Sequence, residues 1–214
     1  MFVVSSPRQR SLLTSPLRLE ILEQFAVATV PRGDARKQAE WGGASIAEIA
    51  RAMGRRPDSL YHHVRLLAKF GLLVEAGTRK AGKRDETLYR PVAQSIAMPC
   101  DPSKPSSVDA TVATVASMFR LAEREMRAGL SGGAAVPEGK QRNIFTRRVP
   151  AHLSASALKE INRHIDAILA IAERAWHTNA IDAADAVPVS ITIALLPMTS
   201  RQRARRSAGG SPTC

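Results

Sequence analysis

Residues 45–70 read SIAEIARAMGRRPDSLYHHVRLLAKF and contain the signals for two short helices joined by a tight turn. Ser45 can cap the N–H groups of a first turn, while Glu48, three residues later, reaches back to the Ser45 N–H. Gly54 then permits a turn that a residue with a side chain would resist. One face of the first helix is expected to be apolar and buried, and it comprises Ile46, Ile49, Ala50 and Met53.

The second helix is expected to run from about Pro57 to Phe70. Pro57 suits the first turn because an N–H there would lack a partner within the helix. At 100° per residue, one side of this helix is mainly apolar and comprises Leu60, His63, Val64, Leu67 and Phe70. The opposite side carries hydrogen-bonding and mostly cationic groups, namely Asp58, Tyr61, His62, Arg65 and Lys69.

The flanking segments complete a domain pattern. Ser15 and Pro16 read as the start of an earlier helix, whose apolar side comprises Leu17, Ile21, Leu22 and Phe25. After the helix stop at Gly71, residues 72–75 and 87–90 are strand candidates. The linker between them, AGTRKAGKRDE, is predicted to form a basic wing.

This arrangement resembles the ArsR-like family of winged helix-turn-helix transcription regulators. The resemblance rests on LTSPLRLEILEQF, on SIAEIARAMGRRPDSLYHHVRLLAKFGLL and on the strand pair closed by TLYRPV, and it spans about Leu13 to Val92. It implies a dimer that binds operator DNA and acts as a repressor. Paired cysteines near the second helix and late metal ligands, which mark the family's metal sensors, are not evident, so metal sensing is disfavoured.

A DNA interface follows from the outward face of the second helix. The major groove of B-form DNA admits an α-helix and displays base edges that side chains can distinguish. Cations of the wing would contact phosphates or enter the minor groove. The candidate DNA-binding residues are Arg55, Arg56, Asp58, Ser59, Tyr61, His62, Arg65 and Lys69 on the turn and helix, and Arg79, Lys80, Lys83 and Arg84 on the wing.

Composition narrows the class of partner. The 214-residue chain has a formal net charge of +12 and a pI of about 10.8, which favours nucleic acid first and an anionic membrane surface second. The sequence offers no apolar run of roughly 20 residues and no leader pattern, so we expect a cytoplasmic protein without a membrane span. Cys100 and Cys214 are expected to be unpaired thiols, with a redox switch as the alternative.

Catalysis is not indicated by any motif. Gly77 to Arg84 reads GTRKAGKR, close to a phosphate-binding loop, but Arg84 replaces the Ser or Thr that binds magnesium, and a strand candidate follows where a helix is required. His152, His164 and His177 lack Cys or carboxylate partners at metal-ligand spacing. We therefore predict no enzyme activity, no cofactor and no metal.

The remainder of the chain predicts an accessory region. We divide the chain into a winged domain at 11–95, a Pro-rich linker at 96–107, an accessory or dimerisation region at 108–198 and a disordered basic tail at 199–214. An apolar seam with alternating four- and three-residue spacing predicts either packing on the winged domain or a homodimer seam; it comprises Val108, Val112, Val115, Phe119, Ala122 and Met126.

Beyond the seam we expect a β-α-β unit. Its strands are NIFTRRV at 143–149 and PVSITIAL at 188–195, and its helix spans 154–176. This helix has an apolar side made of Leu158, Ile161, Ile165, Ile168, Leu169 and Ala172. The predicted fold class is thus mainly α with a small β wing, and an unidentified small-molecule effector remains compatible with the accessory unit.

Function is expected to be sequence-specific binding of an imperfect palindrome in double-stranded DNA by a homodimer. The alternatives are a winged-helix module that binds another protein and a nonspecific architectural DNA-binding module.

Overall fold

The structure is a computed structural model that describes residues 1–29, 42–82, 84–93, 95–177 and 186–198. Six helices and two small sheets form this part of the protein. In chain order the elements are β1 (Phe2–Val3), α1 (Pro7–Leu13), α2 (Pro16–Thr29), β2 (Ala44–Ser45), α3 (Ile46–Ala52), α4 (Asp58–Lys69), β3 (Leu73–Ala81), β4 (Arg84–Pro91), β5 (Ile96–Ala97), α5 (Pro105–Ser131) and α6 (Ala155–His177).

Helices α3 and α4 form as the sequence predicts. The Ser45 N–H donates to a Glu48 carboxylate oxygen at 2.8 Å and the Glu48 N–H donates to Ser45 Oγ at 3.3 Å, which is the expected reciprocal cap. Gly54 takes a positive φ of 61° in the turn. The two helices bury the expected apolar positions, with Ile46, Ile49 and Ala50 on α3 and Leu60, Val64 and Leu67 on α4. The predictions of these two helices and of their buried faces are confirmed.

Helix α2 packs behind α3 and α4. It begins at Pro16 and buries Ile21, Leu22 and Phe25, as its apolar spacing predicts. The Phe25 ring meets Tyr89 of β4 edge-on, with ring centroids 6.3 Å apart. This contact joins the helical layer to the sheet.

The wing is more regular than expected. The linker predicted at 76–86 is instead the paired end of an antiparallel hairpin, since β3 and β4 remain in register as far as Ala81 opposite Arg84. Gly82, at φ 64°, permits the tight turn, and Gly77 lies at a register shift. With β2 paired to β4, the strand order is β2-β4-β3. The fold is therefore an α+β winged helix.

The N-terminal residues add an unpredicted layer. β1 pairs in parallel with β5, and α1 contributes Leu12 and Leu13 to the core together with Val4. We expected the winged domain to start at residue 11, but residues before it also pack into the domain. Strand β5, which lies in the expected linker, pairs with β1 and belongs to the same layer. Two-residue strands and a seven-residue helix are too short to produce a periodic signal.

Helix α5 packs on its own winged domain, but through a face other than the predicted seam. Its buried residues are Ser107, Thr114, Ser117 and Leu121, and it contacts α1 and α2. The Ser117 hydroxyl donates to the Thr14 carbonyl, and Arg124 forms a 2.7 Å ion pair with Glu20 of α2. Small side chains let these helices approach closely.

The expected β-α-β unit is wrong in its strands. Helix α6 occupies the predicted helical range, but residues 143–149 and 188–195 form no strand in the structure and are mostly exposed. Alternating apolar residues become a strand only when a partner strand supplies the hydrogen bonds, and the described residues supply none here.

In the described ranges no helix combines the length and hydrophobicity needed to cross a bilayer.

Candidate nucleic-acid interface

The outward face of α4 presents the predicted polar side chains to solvent. Leu60, Val64 and Leu67 are fully buried on the inner face and fix the rotation of the helix. The residues that are consequently exposed on α4 are Asp58, Ser59, Tyr61, His62, Arg65 and Lys69. The structure therefore brings the predicted helical set together on one surface.

Tyr61 and Arg65 form a pair along this surface. They are four residues apart, and the Arg65 guanidinium carbon lies 5.8 Å from the centre of the Tyr61 ring. Neighbours at this spacing meet on a helix surface. Stacking on an aromatic ring restricts the guanidinium while leaving its N–H groups available to donate hydrogen bonds to a partner.

Two arginines flank the N-terminal end of α4. Arg55 and Arg56 are exposed in the turn after α3. The Arg55 N–H donates to the Ala50 carbonyl at 2.8 Å, and the Arg56 carbonyl accepts the Ser59 hydroxyl at 2.7 Å. The backbone of the turn is thus fixed to both helices. Because its hydroxyl is used locally, Ser59 is less available to DNA than its neighbours.

The adjacent histidines have different environments. His62 is exposed, whereas His63 is half-buried and its Nδ1 has no hydrogen-bond partner. Burial lowers the pKa of His63, and the nearby charges of Arg18, His62 and Arg55 lower it further. His62 therefore belongs to the outward face, and His63 to the interface between α4 and the body of the domain.

Arg79 is held by two carboxylates. Its guanidinium lies 2.9 Å from Glu48 of α3 and 3.3 Å from Glu86 of β4. Although burial acts in the opposite direction, the Ser45 N–H and the Arg79 guanidinium hold the pKa of Glu48 below its usual range. Arg79 thus attaches the wing to α3, a role that sequence reasoning did not assign to it.

The other wing cations have a simpler placement. Lys80 is exposed near the end of β3. Arg84 opens β4, paired with Ala81, and its side chain lies outside the described atoms. Lys83 lies outside the described residues.

The C-terminal end of α4 is held by α1, which the sequence analysis missed. Gln9 Nε2 donates to the Phe70 carbonyl at 2.9 Å, and the Arg8 guanidinium lies 6.0 Å from the centre of the Phe70 ring. The available signal was the pattern of Ser6 followed by Gln9, which forms a second capping box. Helix α1 therefore helps to position the surface of α4.

The predicted seam lies on α5, away from the face that contacts α1 and α2. Val112 is 62% exposed and Phe119 is 45% exposed. The other four members, which are partly buried, are Val108, Val115, Ala122 and Met126.

Comparison with known proteins identifies the class of the domain. Residues 13–76 match a family model described as a helix-turn-helix domain, a range that runs from the last residue of α1 through α4 into β3. The chain therefore contains a helix-turn-helix domain, with the β3–β4 hairpin as its wing. Domains of this class are typical of DNA-binding regulators. No curated protein matches the chain significantly.

Proposed function

We propose that this protein is a dimeric transcription regulator that binds double-stranded DNA sequence-specifically. The observation that carries the proposal is the two-sided character of α4, with Leu60, Val64 and Leu67 fully buried and Tyr61 and Arg65 exposed together on the opposite face. A helix anchored in this way can enter the major groove without losing its core contacts.

Base reading is assigned to the turn and the N-terminal half of α4. Arg56 and Arg65 are suited to bidentate contact with guanine, and Asp58 can accept a hydrogen bond from cytosine. Tyr61 and His62 can donate to bases or phosphates. Since Arg55 and Arg56 precede the first turn of α4, they lie where recognition helices usually contact base edges.

Phosphate contact is assigned to the wing. Lys80 is exposed on the hairpin, and a lysine contributes affinity and register more than base preference. Arg79 supports this contact indirectly, because its ion pairs with Glu48 and Glu86 fix the hairpin relative to α3.

Dimerisation is assigned to the α5 seam, and repression to the resemblance with ArsR-like regulators. A dimer would place two α4 helices in successive major grooves, about 34 Å apart, on an imperfect palindrome. An effector that altered this spacing would alter DNA affinity. The accessory region beyond α5 is the part of the chain available for such regulation.

The proposal is tested by selecting bound sequences from a pool of random duplexes at physiological salt. We expect enrichment of a motif with two related half-sites, one helical turn apart or a multiple of it. Uniform recovery of all sequences would instead identify an architectural DNA-binding module. No retention of duplex DNA would favour a protein-binding winged helix, and either result overturns the proposal.

A further inference from the structure

Helix α5 has two faces of opposite character. The face against α1 and α2 is built from Ser107, Thr114, Ser117 and Leu121. The seam that contains Val112 and Phe119 is centred roughly 140° around the axis from Leu121 at 100° per residue. Packing against the winged domain therefore leaves the seam incompletely covered, with Val112 and Phe119 exposed.

Helix α6 carries a second uncovered apolar stripe. Leu158, Ile161, Ile165, Ile168 and Ala172 repeat at alternating three- and four-residue spacing, and no residue of α6 with a described side chain is buried. Leu169 and Ile171, which flank this stripe, are 42% and 60% exposed. An apolar face widened in this way is typical of a helix that contacts two neighbours rather than one.

The two stripes match each other in spacing. Aligned in parallel, Val112, Val115, Phe119, Ala122 and Met126 fall opposite Leu158, Ile161, Ile165, Ile168 and Ala172. An antiparallel alignment also pairs apolar positions throughout. Both helices can therefore form the knobs-into-holes contacts of a helical bundle.

The charge of these helices permits their association with a second copy of the chain. The protein as a whole has a net charge of +12, yet α5 contains three acidic and three basic residues, and α6 likewise contains three of each. Two copies can thus meet through these helices without the repulsion that their winged domains would impose.

The uncovered surface is also of the right size. Eight large apolar residues on the two helices are 41–62% exposed, which amounts to roughly 700 Å² per chain, so two copies approach the 1,200–2,000 Å² that stable interfaces bury. These residues are Val112, Met118, Phe119, Leu130, Leu158, Ile168, Leu169 and Ile171.

We infer that α5 and α6 of two copies form one intermolecular four-helix bundle, in which α6 of each protomer covers the α5 seam of its partner. The wide apolar face of α6 can contact two neighbours, and among the described helices the α5 seam is a partly exposed stripe of matching spacing. The connector of residues 132–154 permits the exchange, at about 3.3 Å per extended residue. This inference rests on the proposed dimer but not on DNA binding.

Cross-linking between distinguishable chains tests the exchange. One chain carries Phe119→Cys, and a longer tagged chain carries Ile165→Cys, both with Cys100→Ser and Cys214→Ser. After mixing and treatment with a bismaleimide, we expect a product that joins the two chains. Arg163→Cys is the matched control, since it lies roughly 160° around α6 from Ile165. Cross-chain product no greater than this control overturns the inference.

Sedimentation equilibrium separates this inference from the proposed dimer. Ile161→Glu with Ile168→Glu should weaken dimerisation at least ~10-fold, because each loses a buried aliphatic contact and introduces a charge. Arg163→Glu should leave it unchanged. If Phe119→Glu dissociates the dimer but the α6 variant does not, α5 dimerises alone and the inference fails. If neither variant dissociates a dimer, the proposed α5 seam fails as well.

Retention of α-helical circular dichroism and of a cooperative unfolding transition in urea establishes that each variant is folded. No residue of α6 with a described side chain is buried, so its substitution should not unfold the winged domain.

Discussion

Glu23 shows how a single carboxylate responds to the packing of α5 on α2. Although its side chain still contacts solvent, desolvation by the surrounding protein and the nearby carboxylates of Glu125 and Glu20 raise its pKa to about 7, while Arg124 opposes the shift. The folded state therefore holds this proton more tightly than the unfolded chain does. Stability contributed by protonated Glu23 is lost as pH rises from about 4.5 through 7.

Glu23→Gln should remove this loss. We expect the variant to match the parent near pH 4 and to exceed its free energy of unfolding at pH 8, as measured by urea denaturation at both pH values. Glu138→Gln, an exposed carboxylate in the connector, serves as control and should show no such gain. A Glu23→Gln chain with the parent's pH dependence would contradict the assigned pKa.

Gly43 is required by close approach of the sheet to the loop before β2. A Cβ added there would lie 2.7 Å from the Leu88 Cβ and 2.8 Å from the Ala76 Cβ, whereas one at Gly42 would meet nothing within 4 Å. Gly43→Ala should therefore lower the free energy of unfolding by about 1–3 kcal/mol, as expected for overpacking. Gly42→Ala should change it by less than about 0.5 kcal/mol. Equal effects in thermal or urea denaturation would refute the contact.

At the level of elements, the sequence predicted the features that depend on local spacing and on helix caps. The reciprocal cap of Ser45 and Glu48, the rotation of α4 and the burial on α2 all follow from local spacing. The attachment of Arg79 to Glu48 does not, because it depends on how the hairpin folds back over α3. Nor could alternation at 188–195 reveal whether a partner strand exists. Local sequence patterns therefore do not identify the residues or strands that make long-range contacts.

The wing offers a prediction at this scale. Lys80→Gln should reduce the slope of log binding constant against log salt by about one, as for one lost phosphate contact. Arg79→Gln should change the slope less, because Glu48 and Glu86 already offset the Arg79 charge. Binding titrations at several salt concentrations measure both, with Lys140→Gln as a control for removing a remote charge. Equal slopes for the parent and Lys80→Gln would remove Lys80 from the DNA interface.

At the scale of the whole molecule, the predicted DNA-binding charges and the exposed apolar stripes of the described helices lie on different elements. The predicted DNA contacts lie on α4 and the hairpin, while the exposed apolar stripes lie on the electrically balanced helices α5 and α6. We therefore expect electrostatics to govern the proposed DNA binding, and burial of apolar area to govern the proposed self-association.

These two activities should respond differently to salt. Raising salt from 50 to 500 mM should weaken DNA binding steeply and leave the dimer dissociation constant nearly unchanged. Binding titrations and sedimentation equilibrium on the full chain provide the comparison. A dimer that dissociated in parallel with loss of DNA would show that ion pairs, rather than the apolar stripes, hold the protomers together.

The base-reading role of α4 is tested most directly by repeating the duplex selection with Arg65→Lys. Lysine keeps the charge but cannot form the bidentate contact of arginine with guanine. We predict that the preference at one base pair of each half-site is lost while the rest of the motif persists, and that Lys140→Ala selects the parental motif. A second selection with Arg65→Ala removes the guanidinium altogether. If both Arg65→Lys and Arg65→Ala select the parental motif, base reading by Arg65 is contradicted.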